Sequence, residues 1–409
     1  MPASYLFQTH QGRLFNCTIE EYIDSESSSM AGSVNLIFTS PPFPLINDKE
    51  YGNKQGQDYL QWLVTVFTDL SKMLTEDGSL VVEIGNAWNP SEPSMSLWTI
   101  KTLIAIAERC NLILCQQFIW ENPNRLPGPA AWVTKNRLRL KDSHTHVWWF
   151  SKSPQPKVFQ QNVLKPYSPA MDRLLKRGTY NHGSRPSEHV IGEKSFLQDH
   201  SGSIPGSTFV LGNAQNSKQY VEWCNERRVC IHPARMPQKL ASFFIEFLTK
   251  PGDTVFDPFS GSCTTGLAAE ELNRRWIGTE CCLDYAIGSY GRFEQDEQVA
   301  NFLIEQSTDL RADIDGIQSR FLSGGNLRTH IQNELLRIPK SVTRPTIKRM
   351  LDATGPDRVK IILDEYLAFQ QSGVTKRECA SLVYESLTKK GYSITLNVIK
   401  STICTPKTK

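Results

Sequence analysis

The chain has 409 residues, with 45 Lys and Arg against 42 Asp and Glu, a formal net charge of only +3 and a mean hydropathy of −0.36. That balance, with no apolar run near the roughly 18 residues a membrane helix needs, argues against a membrane protein, a fibre or a disordered tail. At roughly 100 to 200 residues per domain the length makes two or three domains, each able to bury a core.

The opening residues, MPASYLFQTHQGR, have no apolar stretch of signal-peptide length, so a cytosolic protein is expected. Val34 to Thr39 (VNLIFT) and Ser79 to Ile84 (SLVVEI) are expected as buried strands. Between them Leu60, Leu63, Val64, Phe67, Leu70 and Leu74 recur at helical spacing and close one apolar face. Leu112 to Trp120 and His146 to Ser151 read as two more strands, with Trp148 and Trp149 as sheet core. This alternation implies a mostly parallel sheet with helices on its faces.

From Lys152 to Asn225 the pattern gives way to Ser, Pro, Gly, Asn and basic residues, an insertion or loop-rich module. Order returns at Pro237, a first helical residue ahead of Leu240, Phe243, Phe244, Phe247 and Leu248. A strand at Thr254 to Asp257, a Gly/Ser turn, a helix from Thr265 to Leu272 and a strand at Arg275 to Thr279 follow. Beyond Tyr290 the composition is helical and polar, with a break expected at Ser323 to Asn326. The expected domains are therefore 1–151, 152–225, 226–295 and a helical extension, 296–409.

The near-zero net charge hides local excess. Lys340 to Lys409 holds thirteen cations and six acids, +7, and Ser151 to Val190 holds seven and two, +5. Two basic regions on a near-neutral chain suit a polyanion bound at defined places, although solvated lysine faces give the same counts. The ten cysteines are scattered, apart from Cys281 and Cys282, and form no disulfide framework. Cys224, Cys230 and His232 match no zinc spacing, and His144 with His146 share only a strand face, so no metal site is expected.

Two turns carry chemistry. TVFDPFSGSCTTGLAAEELNRRWIGTE is strand, small-residue turn, helix, strand, acid. In a doubly wound sheet such a turn lets a ligand approach backbone N–H groups, and Glu280 follows Asp257 at about the 20-residue offset of an acid that receives ribose hydroxyls. No Lys follows the turn, which excludes a triphosphate loop. The second turn, Thr39-Ser40-Pro41-Pro42-Phe43, also ends a strand. Its prolines lack N–H groups and leave carbonyls free to face a cleft, Ser40 adds a hydroxyl and Phe43 a stacking face, together a grip for a planar base with an amino group. Alone, the first reads as well as a tight βα turn, and the second reads more readily as a Pro-rich turn with a core Phe.

Together, Ser-Pro-Pro-Phe after one strand and Asp-Pro-Phe-x-Gly-Ser-x-Thr-Thr after another resemble the amino DNA methyltransferases that use S-adenosylmethionine. The order is that of the permuted β class, and the leading serine is similar to N4-cytosine enzymes of type II restriction-modification systems. The resemblance covers most of residues 1–295. It implies a doubly wound, mostly parallel seven-stranded Rossmann-like sheet, circularly permuted, in a prokaryotic cytosolic protein acting on double-stranded DNA beside a restriction endonuclease of the same specificity. Ser40, Pro41, Pro42 and Phe43 become the catalytic set for a cytosine flipped out of the duplex, with direct methyl transfer and the proton leaving to solvent. Asp257, Pro258, Phe259, Ser260, Gly261, Ser262, Thr264, Thr265 and Glu280, with His232 and Pro233, become the cofactor set. Trp120, Asn122 and Pro123, with Asp142, Ser143 and His144, match the family's cleft-lining segments, and Tyr285 and Arg292 follow Glu280 much as in family members. Arg173, Lys176, Arg177 and Arg185 are the expected DNA contacts in the recognition region. Cys263 stands where glycine is usual, and Asn16-Cys17 where a Gly-Asp pair often meets the adenine. An N6-adenine enzyme of the same fold and a catalytically inactive DNA-binding regulator are the alternatives.

Overall fold

The computed structural model describes residues 4–43, 56–89, 92–213, 217–293 and 296–306, all within the first of the chain's two compact units. The +7 segment and the break expected at Ser323 to Asn326 lie outside the described residues.

The chain opens with a short hairpin, β1 (Phe7–Gln8) and β2 (Gly12–Phe15), then helix α1 (Ile19–Glu26), whose Thr18 and Glu21 form a capping box. Strand β3 (Val34–Thr39), helix α2 (Gly56–Met73) and strand β4 (Leu74–Gly85) follow. Leu60, Leu63, Val64, Phe67 and Leu70 are buried along α2 as their spacing requires, while Leu74 already opens β4. Helix α3 (Trp98–Arg109) leads to β5 (Ile113–Glu121), which pairs antiparallel with β6 (His144–Ser151).

The segment expected to be loop-rich contains a nine-residue helix, α4 (Pro169–Arg177). Ser168 caps it, Pro169 opens it and Gly178, at φ +69°, ends it. None of its residues is fully buried; Met171, Leu174 and Leu175 recur at helical spacing and form its half-buried face, a stripe only one turn long. A two-stranded hairpin, β7 (Gly183–Ser184) and β8 (Val190–Ile191), follows, and then β9 (Thr208–Val210) joins the edge of the main sheet beside β5. Helix α5 (Lys218–Glu226), helix α6 (Gln238–Leu248), strand β10 (Thr254–Asp257), helix α7 (Thr264–Glu271), strand β11 (Arg275–Thr279) and helix α8 (Leu283–Ser289) complete the labelled elements.

The main sheet has the order β1-β2-β11-β10-β3-β4-β6-β5-β9. It holds nine strands, where the resemblance implies seven; β1 and β9, the two at its edges, are two and three residues long. Strands β2, β11, β10, β3 and β4 all run parallel, so the late strands β10 and β11 sit between strands from the start of the chain. Alternation along β3 feeds two layers: Ile37 joins the cluster of α1, α2 and α3 residues, whereas Phe38 stacks on Phe244 of α6 at 5.5 Å between ring centroids. Trp148 and Trp149 are buried in the sheet, as expected. Because the five central strands are parallel, their carboxyl ends share one edge, where an open α/β sheet binds ligands.

Candidate active site

That edge carries a cavity of about 750 Å³, in the upper part of the range of about 300–1,000 Å³ typical of ligand pockets. It is walled by the segments that leave β2, β3, β10 and β11, by Glu83 and Asn86 at the end of β4, and by Thr145 at the start of β6. All four residues of the catalytic set and all eleven of the cofactor set line it. Trp120 and Asn122 line it too, whereas Pro123, Asp142, Ser143 and His144 do not, nor do Arg173, Lys176, Arg177 and Arg185. Arg173, Lys176 and Arg177 lie on α4, and Arg185 follows β7.

Ser40 is the first residue past β3. The parallel register sets Thr39 opposite Val82, which brings Ser40 beside Glu83. Ser40 Oγ donates to Glu83 Oε2 at 2.6 Å. Glu83 is 3% exposed, and desolvation raises its carboxyl above the ordinary range, while the hydroxyls of Ser40 and Thr145 and the charge of Arg125 pull it back. Sequence reading placed SLVVEI as a strand but gave Glu83 no role. The available signal was a single acid inside an otherwise apolar buried run. Phe43 packs partly against the core beneath the cavity. A Cβ on Gly85 would lie 2.7 Å from Phe43 Cε2, so the ring's seat requires glycine there.

On the other side, Asp257 ends β10 fully engaged. Its Oδ1 accepts from Thr39 Oγ1 at 2.7 Å and from the Phe259 N–H at 3.1 Å, and Oδ2 accepts from Thr265 Oγ1 at 2.6 Å. Burial pushes its carboxyl up to about 6, against the pull of those donors. The turn after it is pinned to β11: Ser260 N–H donates to Thr279 O at 2.9 Å, and Thr279 Oγ1 donates to Pro258 O at 2.7 Å. Gly261 has φ +52°, with the His232 ring 3.1 Å from where a Cβ would stand. Buried Arg292 donates through Nε to Ser262 O and through Nη2 to Ser262 Oγ at 2.9 Å, clamping the turn from below.

Glu280, just past β11, accepts from the Gly261 N–H at 2.9 Å and the Cys282 N–H at 2.7 Å, one on each oxygen. Burial pushes its carboxyl up to about 7. Oε1 also accepts from Cys281 Sγ at 3.8 Å, so Oε2 is the oxygen that keeps a second lone pair for a hydroxyl, and Glu280 lines the cavity. Asn16 Nδ2 donates to Glu280 O at 2.8 Å, so Asn16 braces this loop, while Cys17 lines the cavity. Burial pushes the Cys17 thiol up to about 12, and it stays neutral. His232 takes its place through its N–H, which donates to Tyr220 Oη at 2.8 Å, and through an edge-to-face contact with Tyr285 at 4.6 Å. Arg235 Nη1 in turn donates to His232 O at 2.7 Å. Trp62, also missed, donates from Nε1 to Glu20 Oε1 at 2.6 Å and lies 5.7 Å from Phe259, an aromatic wall between α2 and the β10 turn. Among the described residues no group of three His, Cys, Asp or Glu is placed to hold a metal ion.

The family model of DNA methylases acting on N6 and N4 amino groups matches residues 34–286. The type II methyltransferase M.PvuII of Proteus hauseri is 40% identical over 297 residues, 72% of this chain and 85% of that protein. M.BglII of Bacillus subtilis, another type II methyltransferase, is 25% identical over 291 residues, 71% of each chain. The solved structure described as PvuII DNA methyltransferase (cytosine-N4-specific) superposes with a TM-score of 0.60 at 31% identity, covering 74% of this chain and 96% of that one. With the match spanning both strand-end turns and most of the sheet that positions them, the chain belongs to the N6/N4 DNA methylase family.

Proposed function

We propose that this chain methylates the exocyclic N4 amino group of a cytosine flipped out of duplex DNA, with S-adenosylmethionine as the methyl donor. The observation that carries the reading is the Ser40–Glu83 bond. Because the Ser40 proton is committed to Glu83, the hydroxyl oxygen faces a ligand only as an acceptor. An amino group satisfies it, and the carbonyl of a thymine does not. The N6 amino group of adenine passes the same test. The choice of cytosine rests on the relative described as cytosine-N4-specific and on serine at position 40.

The amino lone pair of cytosine is delocalised into its ring and is a poor nucleophile. Ser40 Oγ, with the Pro41 carbonyl, accepts the amino hydrogens and favours a pyramidal nitrogen with its lone pair free. Phe43 offers the face on which the ring stacks. As the nitrogen gains its methyl group, its proton passes to Ser40 Oγ while the Ser40 proton moves to Glu83. A carboxyl raised by burial is a better proton acceptor than an ordinary one, so Glu83 replaces solvent as the first destination.

The residues at the carboxyl ends of β10 and β11 suit the cofactor. Glu280 retains acceptor capacity for ribose hydroxyls, and the Pro258 to Ser262 turn with His232 and Pro233 surrounds the space for the methionine portion. When bound, S-adenosylmethionine supplies an electrophilic sulfonium methyl group. Asp257, occupied by three donors, shapes the turn rather than reaching the ligand.

On this reading residues 1–151 hold the base, 226–295 hold the cofactor in circularly permuted order, and 152–225 carry recognition, with Arg173, Lys176, Arg177 and Arg185 toward DNA. Residues 296–409 add phosphate contacts. The type II designation of both relatives supports pairing with a restriction endonuclease of the same specificity. The test is to methylate plasmid DNA with a labelled donor, digest it to nucleosides and identify the product. N4-methylcytosine is expected. N6-methyladenine would replace cytosine by adenine, and cofactor binding without any DNA methylation would leave a regulator on the same fold.

A further inference from the structure

Between β5 and β6 the chain leaves the sheet for a 22-residue excursion, residues 122–143. Residues 122–141 carry five cations, Arg125, Lys135, Arg137, Arg139 and Lys141, and no acid. The excursion is ordered. The Asn122 N–H donates to Ser143 O at 2.7 Å across its base, and the Leu138 N–H to Trp132 O at 2.8 Å. The Arg139 guanidinium lies over the Trp88 ring at 3.5 Å. Its first turn is also part of the cavity wall, through Asn122, Asn124, Arg125 and Leu126. Yet three of its leucines face solvent: Leu126 is 84% exposed, Leu138 62% and Leu140 89%.

One exposed leucine is ordinary. Three on an excursion with five cations and one acid, Asp142, at the mouth of a base pocket suit a partner that is anionic outside and apolar within. A duplex from which one base has been extruded has both properties: phosphates along its flanks and a vacated, stacked gap. We propose that this excursion is a DNA-binding element separate from α4, in which Leu126 enters the stack where the target base stood and Lys135 and Arg137 meet phosphates. The proposal rests on the flipped-base reading of the Ser40 pocket.

Leu126 both lines the cavity and faces outward, so it stands where the strand must part from its extruded base. It is held from both sides. Arg125 Nη1 donates to His144 O at 3.1 Å, and Lys141 Nζ donates to Pro123 O at 3.2 Å, closing the two arms of the excursion on each other. Extrusion costs a few kcal/mol of pairing and stacking, and an apolar wedge recovers part of the stacking and slows the return of the base.

The test compares the full-length protein with its Leu126→Ala variant on two duplexes carrying the sequence that the wild type methylates in plasmid DNA. One is fully paired, and the other has an abasic site opposite the target, so that no pair is broken. The variant is expected to be slower by about tenfold on the paired duplex and by less than about twofold on the other, with Leu126→Met restoring most of the rate. Lys135→Gln with Arg137→Gln should lower the slope of log affinity against log salt by about 0.9 per contact. Equal slowing on both duplexes, or none on either, overturns the proposal. A wild type that methylates no site in plasmid DNA overturns the reading of the Ser40 pocket and this proposal with it, and the plasmid assay thereby tells the two failures apart.

Discussion

Glu83 on β4 and Asp257 on β10 are both buried carboxylates in the wall of one cavity, and burial raises both. Their surroundings differ in kind. Asp257 accepts from Thr39, from Thr265 and from the Phe259 backbone, three segments that it ties together. Glu83 accepts from Ser40, a half-buried hydroxyl whose oxygen borders the cavity. The first has the pattern of a brace and the second that of an acceptor kept within reach of a ligand. A raised carboxyl alone does not mark a reacting group; the origin of its donors, and whether a ligand can touch one of them, separates the two.

Removing the reacting side should have the largest effect. Ser40→Ala and Glu83→Gln are expected to slow single-turnover methylation by about 10²–10⁴-fold while leaving S-adenosylmethionine affinity within about twofold. The pH dependence gives the sign. Only ionised Glu83 can take the proton, so the wild-type rate falls as pH drops through its raised folded-state value, and that limb disappears in Glu83→Gln. Full activity in Ser40→Ala would erase the distinction between the two carboxylates.

Glu280 lies between these extremes, because its backbone donors and Cys281 Sγ tie it to the loop while Oε2 keeps a lone pair and the residue lines the cavity. In the proposed role, ribose hydroxyls donate to the ionised form. As pH falls below about 7, cofactor affinity should weaken, by at most about tenfold per pH unit, measured by calorimetric titration. Glu280→Gln should bind about 10- to 100-fold more weakly with no such slope. An unchanged affinity would make Glu280 a second brace.

Asp257→Ala is expected to act on stability first. It strands two hydroxyls and one backbone N–H and should cost about 2–4 kcal/mol in denaturant unfolding. Its own titration runs the other way. With the folded value raised to about 6, the native state binds more protons than the unfolded one, so its contribution is complete below about pH 4 and is lost as pH rises through about 6. Wild-type stability without ligand should therefore decline across that window, and Asp257→Ala should flatten the decline.

These contrasts also show what could be read from residue order. VNLIFT and the α2 stripe announce themselves because buried faces impose a period on the sequence, and the two turns do so because Pro, Gly and small hydroxyl residues have few other uses at strand ends. Glu83 did not, because its meaning lies in Ser40, 43 positions away, and only the Thr39–Val82 register joins them. Helix α4 escaped because its apolar stripe, Met171, Leu174 and Leu175, spans a single turn among basic residues and none of it is fully buried, so Ser168-Pro169 and Gly178 are its clearest marks. The Leu126 excursion alternates cation and leucine from Arg137 to Lys141 as a half-buried strand would, yet these residues form no strand, and the placement of Leu126 at the cavity follows from the β5–β6 pairing rather than from that pattern.

The smallest expected effect sharpens the brace side. Cys263, where glycine is usual, caps α7 at φ +54°, a left-handed conformation that costs a residue with a Cβ about 1–2 kcal/mol. Its buried thiol fills space beside Gly266, where a Cβ would stand only 2.5 Å from Sγ. Cys263→Gly removes the backbone cost but also the packed thiol, and it adds about 0.5–1 kcal/mol of unfolded-chain entropy. The terms nearly cancel, so thermal unfolding should move by less than about 1 kcal/mol with methylation retained. Cys263→Val keeps an apolar side chain but forces a β-branched residue into the left-handed region, and should be the more damaging of the two. If glycine proves much worse than valine, packing rather than backbone geometry holds this turn, and the sulfur belongs with Arg292 among the groups that clamp it.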